Sequence, residues 1–192
     1  MGDFRFIKET HEYFLGTRRM ESVTEILVKS GISDFSFSSE EAALRGKYVH
    51  AATEMIDRGT LDWDALDVTL RPYCEAYRLF LSENRPSFIV SEKPMYHPVH
   101  LFAGTPDRVA MMNGMVCLID YKSGTPGRGT KYQVAAYREL VQVREGITCT
   151  KCFAIHLQGN GRYRVYPMDD HRHNYNIFLA ALTVERCKQE ER

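Results

Sequence analysis

The chain has 192 residues, 44% hydrophobic and 26% charged, which suits one soluble domain with one sizeable core. Its 25 basic and 25 acidic residues leave no formal net charge, which argues against a protein that coats nucleic acid by bulk charge but not against an enzyme that grips phosphate with a local basic surface. No apolar run would span a membrane, the start Met1-Gly2-Asp3-Phe4-Arg5-Phe6-Ile7-Lys8 has no signal-peptide pattern, and Cys74, Cys117, Cys149, Cys152 and Cys187 are odd in number and irregular in spacing, so a cytoplasmic protein without membrane association or a disulfide framework is expected.

In chain order, Ser22 or Thr24 is placed to cap a short helix through Ile26 and Leu27, stopped near Gly31. Ser38 with Glu41 three residues on is a capping-box pattern. It predicts a helix to about Gly59 with Leu44, Tyr48, Ala51, Ala52, Met55 and Ile56 as its apolar face. Asp67 is a candidate cap for a third helix bearing Leu70, Tyr73, Tyr77, Phe80 and Leu81, where Pro72 is tolerated only in the first turn. From Pro86 the texture changes to strands: 87–92, then 101–111 and 115–121, the last two separated by the turn-like Asn113-Gly114. The run Met115-Val116-Cys117-Leu118-Ile119 predicts a central buried strand. A loop at 124–129 leads to a helix over about 131–143, with Tyr132, Ala135, Ala136 and Leu140 on its apolar face. Strands over 152–157 and 162–166 flank Gly159-Asn160-Gly161, and a helix over 174–187 closes the order. Between Tyr121 and Arg138 there are four basic residues, Lys122, Arg128, Lys131 and Arg138, and no acidic one; on charge alone this reads as a solvated loop and helix face.

Two acids stand where chemistry is expected. Asp107 follows Gly104-Thr105-Pro106 in the second strand region, and Asp120 ends the third, with Lys122 two residues beyond. Side chains alternate along a strand, so Asp120 and Lys122 share a side while Tyr121 points away. Antiparallel neighbours would bring Asp107 beside Asp120. Two carboxylates and an ammonium suit phosphodiester hydrolysis: hard oxygen ligands hold Mg²⁺ or Mn²⁺, and the lysine orients water or stabilises charge developing on phosphate. An Asp-x-Lys triplet alone is common, and the set taken together is more specific.

Gly104-Thr105-Pro106-Asp107 followed by Ile119-Asp120-Tyr121-Lys122-Ser123-Gly124 resembles the core of the PD-(D/E)XK nuclease superfamily. Arg45-Gly46-Lys47-Tyr48-Val49-His50 is similar to the helical histidine motif of its RecB-like exonuclease branch, and Tyr132-Gln133-Val134-Ala135-Ala136-Tyr137 to that branch's Gln-x-x-x-Tyr motif. The four elements occur in the family's order over about 45–157. The resemblance implies an α/β fold, a restriction-endonuclease-like central mixed sheet flanked by helices. It would be one domain over 1–192, with a helical N-terminal part (about 1–85), a sheet-containing core (about 86–167) and a C-terminal helix (about 170–190).

The resemblance also implies roles. Asp107, Asp120 and Lys122 would be catalytic. His50, Asp107, Asp120 and the Tyr121 backbone carbonyl would bind one or two Mg²⁺ or Mn²⁺ ions. Gln133 and Tyr137, one helical turn apart, would line the substrate channel. Arg128 and Lys131, and also Arg45 and Lys47, are candidates for phosphate contact. Glu92 is an additional candidate acid and Glu54 a candidate partner for the His50 imidazole; each reads equally as a solvated glutamate, and His50 without the motif reads as an ordinary histidine. The cysteines do not follow the pattern of the branch's iron–sulfur members, so no such cluster is expected. The implied activity is that of a metal-dependent deoxyribonuclease, an exonuclease by analogy with relatives, acting on DNA in recombination, repair or phage DNA processing. The alternatives are a non-catalytic nucleic-acid-binding or assembly protein on the same fold, and a phosphodiesterase acting on RNA or nucleotides. Nothing in the sequence predicts a homo-oligomer.

Overall fold

The apolar run singled out above does form the central strand. In the computed structural model, which describes residues 2–33 and 40–190, the described residues form five helices and ten strands. The strands are β1 (Phe4–Ile7), β2 (Glu12–Leu15), β3 (Arg18–Met20), β4 (Ser87–Ser91), β5 (Met95–Tyr96), β6 (Ala103–Gly104), β7 (Arg108–Met112), β8 (Met115–Lys122), β9 (Lys151–Leu157) and β10 (Tyr163–Pro167). The helices are α1 (Val23–Lys29), α2 (Glu40–Asp57), α3 (Arg71–Asn84), α4 (Thr130–Glu145) and α5 (His171–Glu190). The main sheet runs β10-β9-β8-β7-β4. It is mixed: β8 and β9 are parallel and the other pairs antiparallel. None of the described helices is long and apolar enough to cross a membrane.

Each face of β8 feeds a different core. Leu118 joins Val109, Tyr132, Leu140 and Phe178 beneath α1, α4 and α5. Cys117, Ile119 and Tyr121 join Val49, Tyr77 and Phe80 beneath α2 and α3. Burying a side chain such as Leu118 or Ile119 stabilises by about 1.5–3 kcal/mol. The β7–β8 turn is set by Asn113 and Gly114, both at positive φ (49° and 73°), as a two-residue hairpin of this hand requires.

α1 is capped as expected: Ser22 accepts from the Glu25 amide, and the Glu25 carboxylate accepts from the Ser22 amide. α3 carries Pro72 in its first turn, but Leu70 is its cap residue; Asp67 instead organises the preceding turn through Thr69. Ser38 of the second predicted capping box lies outside the described residues.

Three expectations are corrected. The N-terminal part is not wholly helical: β1, β2 and β3 form an antiparallel sheet whose Tyr13 and Met20 pack with Tyr96 and Ala103. The predicted strand 101–111 is broken, since β6 pairs with the unpredicted β5 and only β7 joins the main sheet. The apolar face of α2 is also different. Leu44, Tyr48 and Met55 are exposed, while Val49, Ala52 and Thr53 are buried. The rotation accords with polar ties, because His50 and Asp57 of the same helix both reach side chains at one end of the sheet.

Candidate metal centre

The β7–β8 hairpin sets the two acids side by side. Arg108 faces Ile119 across the ladder, so one step further out Asp107 comes opposite Asp120. Asp107 sits just before β7, and its Oδ2 accepts the Tyr121 amide proton at 2.7 Å. Alternation then divides the end of β8 as the sequence predicted. Lys122 Nζ lies 2.8 Å from Asp120 Oδ2, while the Tyr121 ring turns to the other face, edge-on to Tyr77 and Phe80.

His50 arrives from α2. Its Nδ1 is 3.6 Å from Asp107 Oδ1 and 3.8 Å from Glu92 Oε1. Glu92 follows β4 with a left-handed φ of 45°, and its amide donates to the Asp107 carbonyl at 2.9 Å. His50, Glu92 and Asp107 each offer a ligand atom, all within 4.8 Å of one another. One imidazole nitrogen and carboxylate oxygens form a donor set suited to a divalent cation such as Mn²⁺ or Mg²⁺.

The charge balance favours the same fit. Four carboxylates, Asp57, Glu92, Asp107 and Asp120, are linked through this cluster to two permanent cations, Arg108 and Lys122. With His50 neutral, the cluster is short of positive charge by two. Burial pushes the carboxyls of Asp107 and Asp120 above the ordinary carboxylate range, against the opposing pull of His50 and Lys122. Burial by itself would lower His50; the carboxylates of Asp107 and Glu92 outweigh it and raise the imidazole to about 9. All three shifts favour added protons, through burial at the two aspartates and through the neighbouring carboxylates at His50, and added positive charge would oppose each. One divalent cation would supply that charge.

Gln133 and Tyr137 lie on the same turn of α4, both buried. Gln133 Oε1 accepts from Lys122 Nζ at 2.9 Å, and its Nε2 donates to Tyr137 Oη at 3.2 Å and Thr24 Oγ1 at 3.3 Å. These two residues therefore hold the lysine rather than open to solvent. Tyr137 in turn packs against Gly104, where an added Cβ would come 2.7 Å from its ring.

Other candidates fall elsewhere. The Glu54 carboxylate pairs with Arg58 at 2.6 Å and reaches Lys8 at 3.9 Å, rather than orienting His50. Arg45 stacks over the Tyr73 ring. Arg128 and Lys131 line a cleft of about 650 Å³ between the loop before α4 and the start of α5, with Tyr166, Asp169 and His173; none of the acids of the centre lines it. Cys74, Cys117, Cys149 and Cys152 are buried thiols and Cys187 an exposed one.

Sequence reasoning missed Arg108 and Asp57. Arg108 is fully buried, with Nε 2.8 Å from Asp57 Oδ2 and Nη1 2.9 Å from Glu92 Oε1. The available signal was a charged residue opening the otherwise apolar stretch Arg108-Val109-Ala110-Met111-Met112, since a buried cation requires a buried partner. Compared with protein-family models and with curated proteins, the chain shows no match, and its functional reading rests on the geometry of this cluster.

Proposed function

We propose that the chain is a metal-dependent nuclease of the PD-(D/E)XK superfamily, on a restriction-endonuclease-like core, that hydrolyses phosphodiester bonds of DNA. The observation that carries this reading is the meeting of His50, Glu92, Asp107, Asp120 and Lys122 at one end of the sheet. The first four, with the Tyr121 carbonyl, would hold the cation. When bound, one or two Mg²⁺ or Mn²⁺ ions supply Lewis acidity toward a phosphoryl oxygen and lower the pKa of the attacking water. Lys122 is fixed between Asp120 and Gln133, which leaves its ammonium placed to orient that water or to stabilise charge on the phosphate. Arg128 and Lys131 would contact phosphates along the cleft that they line. By analogy with the RecB-like branch, the action is exonucleolytic, leaves a 5′-phosphate and a 3′-hydroxyl, and serves recombination, repair or phage DNA processing in the cytoplasm.

The test is cleavage of end-labelled linear and closed-circular DNA, single- and double-stranded, with RNA of the same sequence alongside. Mg²⁺, Mn²⁺ and EDTA are compared for wild type, Asp120→Ala and Lys122→Ala. The expected result is cleavage of linear DNA that requires metal and is lost in both variants. DNA bound equally by all three proteins and cut by none would replace the nuclease by a binding protein. Cleavage confined to RNA would reassign the substrate.

A further inference from the structure

Arg108 is the one arginine with no exposed surface among the largest fully buried side chains. Its position is unusual for what it touches. Nη1 donates both to Glu92 Oε1 at 2.9 Å and to the Asp107 carbonyl at 2.7 Å. That same carbonyl accepts the Glu92 amide at 2.9 Å. One guanidinium nitrogen therefore clamps the junction at which two acids of the candidate centre leave neighbouring strands. The rest of the guanidinium is anchored behind them. Nε and Nη2 lie 2.8 and 2.7 Å from Asp57 Oδ2, and Tyr77 Oη donates to the other Asp57 oxygen at 2.6 Å. The rings of Phe88 and Tyr121 flank the group, with centroids 5.7 and 6.0 Å from Cζ.

Packing alone does not call for this arrangement. Taking an arginine out of water is costly, and a buried ion set can often be replaced by apolar side chains without loss of stability. What the planar fork supplies is orientation, since it fixes two acceptors at defined angles where a lysine offers only a point charge. Glu92 most needs such a restraint. It lies beyond the end of an edge strand, with a left-handed backbone and a side chain 25% exposed. Without the clamp its carboxylate would be free to turn toward solvent.

We propose that Arg108, anchored by Asp57, is a positioning residue that holds the Glu92 carboxylate and the Asp107 backbone in place to receive the divalent cation. This rests on the metal-centre reading given above. Arg108 acts through its neighbours and touches neither cation nor substrate. Partners of metal ligands in this role change metal affinity by about 10- to 100-fold when removed.

The experiment is calorimetric titration of the purified chain with Mn²⁺, without DNA, for wild type, Arg108→Lys, Asp57→Asn, Glu92→Gln, the Arg108→Lys/Glu92→Gln double variant and Asp120→Asn. Circular dichroism and metal-free melting are followed for each. The proposal expects Arg108→Lys to weaken Mn²⁺ binding about tenfold or more while the folded spectrum is kept. Glu92→Gln should weaken it similarly, and the double variant should weaken it by less than the two single effects combined, because both act in part through one carboxylate. Asp57→Asn, which keeps the guanidinium, should give a smaller weakening of the same sign, and it carries the test should Arg108→Lys fail to fold. Wild-type affinity in Arg108→Lys and Asp57→Asn, or effects of Arg108→Lys and Glu92→Gln that simply add, would overturn the positioning role and leave the metal centre standing. No Mn²⁺ uptake by wild type, or uptake unchanged in Asp120→Asn, would overturn the metal-centre reading and this inference with it.

Discussion

At the Lys122 end of the sheet, two charged clusters lie back to back. On the α3 side, Arg108 is matched by Asp57 and Glu92, Asp57 by Tyr77, and aromatic rings enclose the group. On the α4 side, Asp107 and Asp120 face the single ammonium of Lys122, which is shared with Gln133. Each has a buried charged group at its centre, Arg108 in the first and Asp107 with Asp120 in the second, whose desolvation is costly. Each sets two carboxylates against one permanent cation, but only on the α3 side does that cation hydrogen-bond to both; on the α4 side Lys122 lies 2.8 Å from Asp120, and Asp107 lies 3.6 Å from the His50 imidazole. Matched burial marks scaffold, and unmatched burial marks a place that something else must complete. Glu92 belongs to both clusters, paired with Arg108 on one side and facing His50 on the other.

The sharpest way to break this comparison is Asp120→Asn. It removes a charge from the unmatched side while keeping the shape. Cleavage should fall by about 10²- to 10³-fold, on the scale seen when a group that acts on developing charge is lost. If cleavage survives, the two clusters do not differ in function.

Gly104→Ala probes how firmly the unmatched side is supported. The new methyl group would press on the buried Tyr137 ring and on Leu140, and such overpacking costs about 1–3 kcal/mol. Melting should drop by several degrees. The turnover rate should fall as well, because Tyr137 bonds Gln133, which holds Lys122. Lowered stability with full turnover would show that Gln133 does not position the lysine.

Tyr77→Phe tests the matched side. It deletes the hydroxyl bonded to Asp57, a loss of about 1 kcal/mol, or roughly 2–4 °C in melting temperature for a chain of this size. Cleavage should stay within about twofold. A large loss of cleavage without a loss of stability would move Tyr77 into the functional machinery.

The smallest effect lies outside both clusters. Burial, with His100 alongside, lowers His97 to about 4 from its ordinary 6.5, and its Nδ1 accepts the amides of Val99 and His100. A histidine kept neutral in the fold contributes stability that is present above pH 6.5 and is lost as pH falls toward 4. Melting curves at pH 7 and pH 5 should therefore converge in His97→Asn relative to wild type. An equal drop in both proteins would remove His97 from the acid response.

Much of the fold and part of the site were legible in the sequence, and the division has a physical cause. β8, the Asn113-Gly114 turn and the buried face of α4 depend on local periodicity and turn chemistry, which neighbouring residues report directly. The pairing of Asp107 with Asp120 followed from those same local rules. Arg108 and Asp57 did not, because a partner 51 residues away leaves no local trace. Glu92 was undervalued for a related reason: its approach depends on β4 pairing with β7, on the register shift between Phe88 and Val90, and on a left-handed residue. The β1–β3 sheet escaped notice because its strands span three or four residues, and its core partners Tyr96 and Ala103 lie far along the chain.

The most direct test of the unmatched cluster is thermal melting of wild type and Asp120→Asn, each with EDTA and with Mn²⁺ at about 100 times its dissociation constant for wild type. Binding to the native state at that level stabilises by about 2.7 kcal/mol, which corresponds to roughly 5–10 °C here. The account predicts that Mn²⁺ raises the wild-type melting temperature by this amount. It also predicts that Asp120→Asn without metal melts at or above metal-free wild type, since one of the two carboxylates that share the field of the Lys122 ammonium is gone, and that Mn²⁺ adds little to it. A wild-type melting temperature indifferent to Mn²⁺, or an equal rise in both proteins, would contradict it.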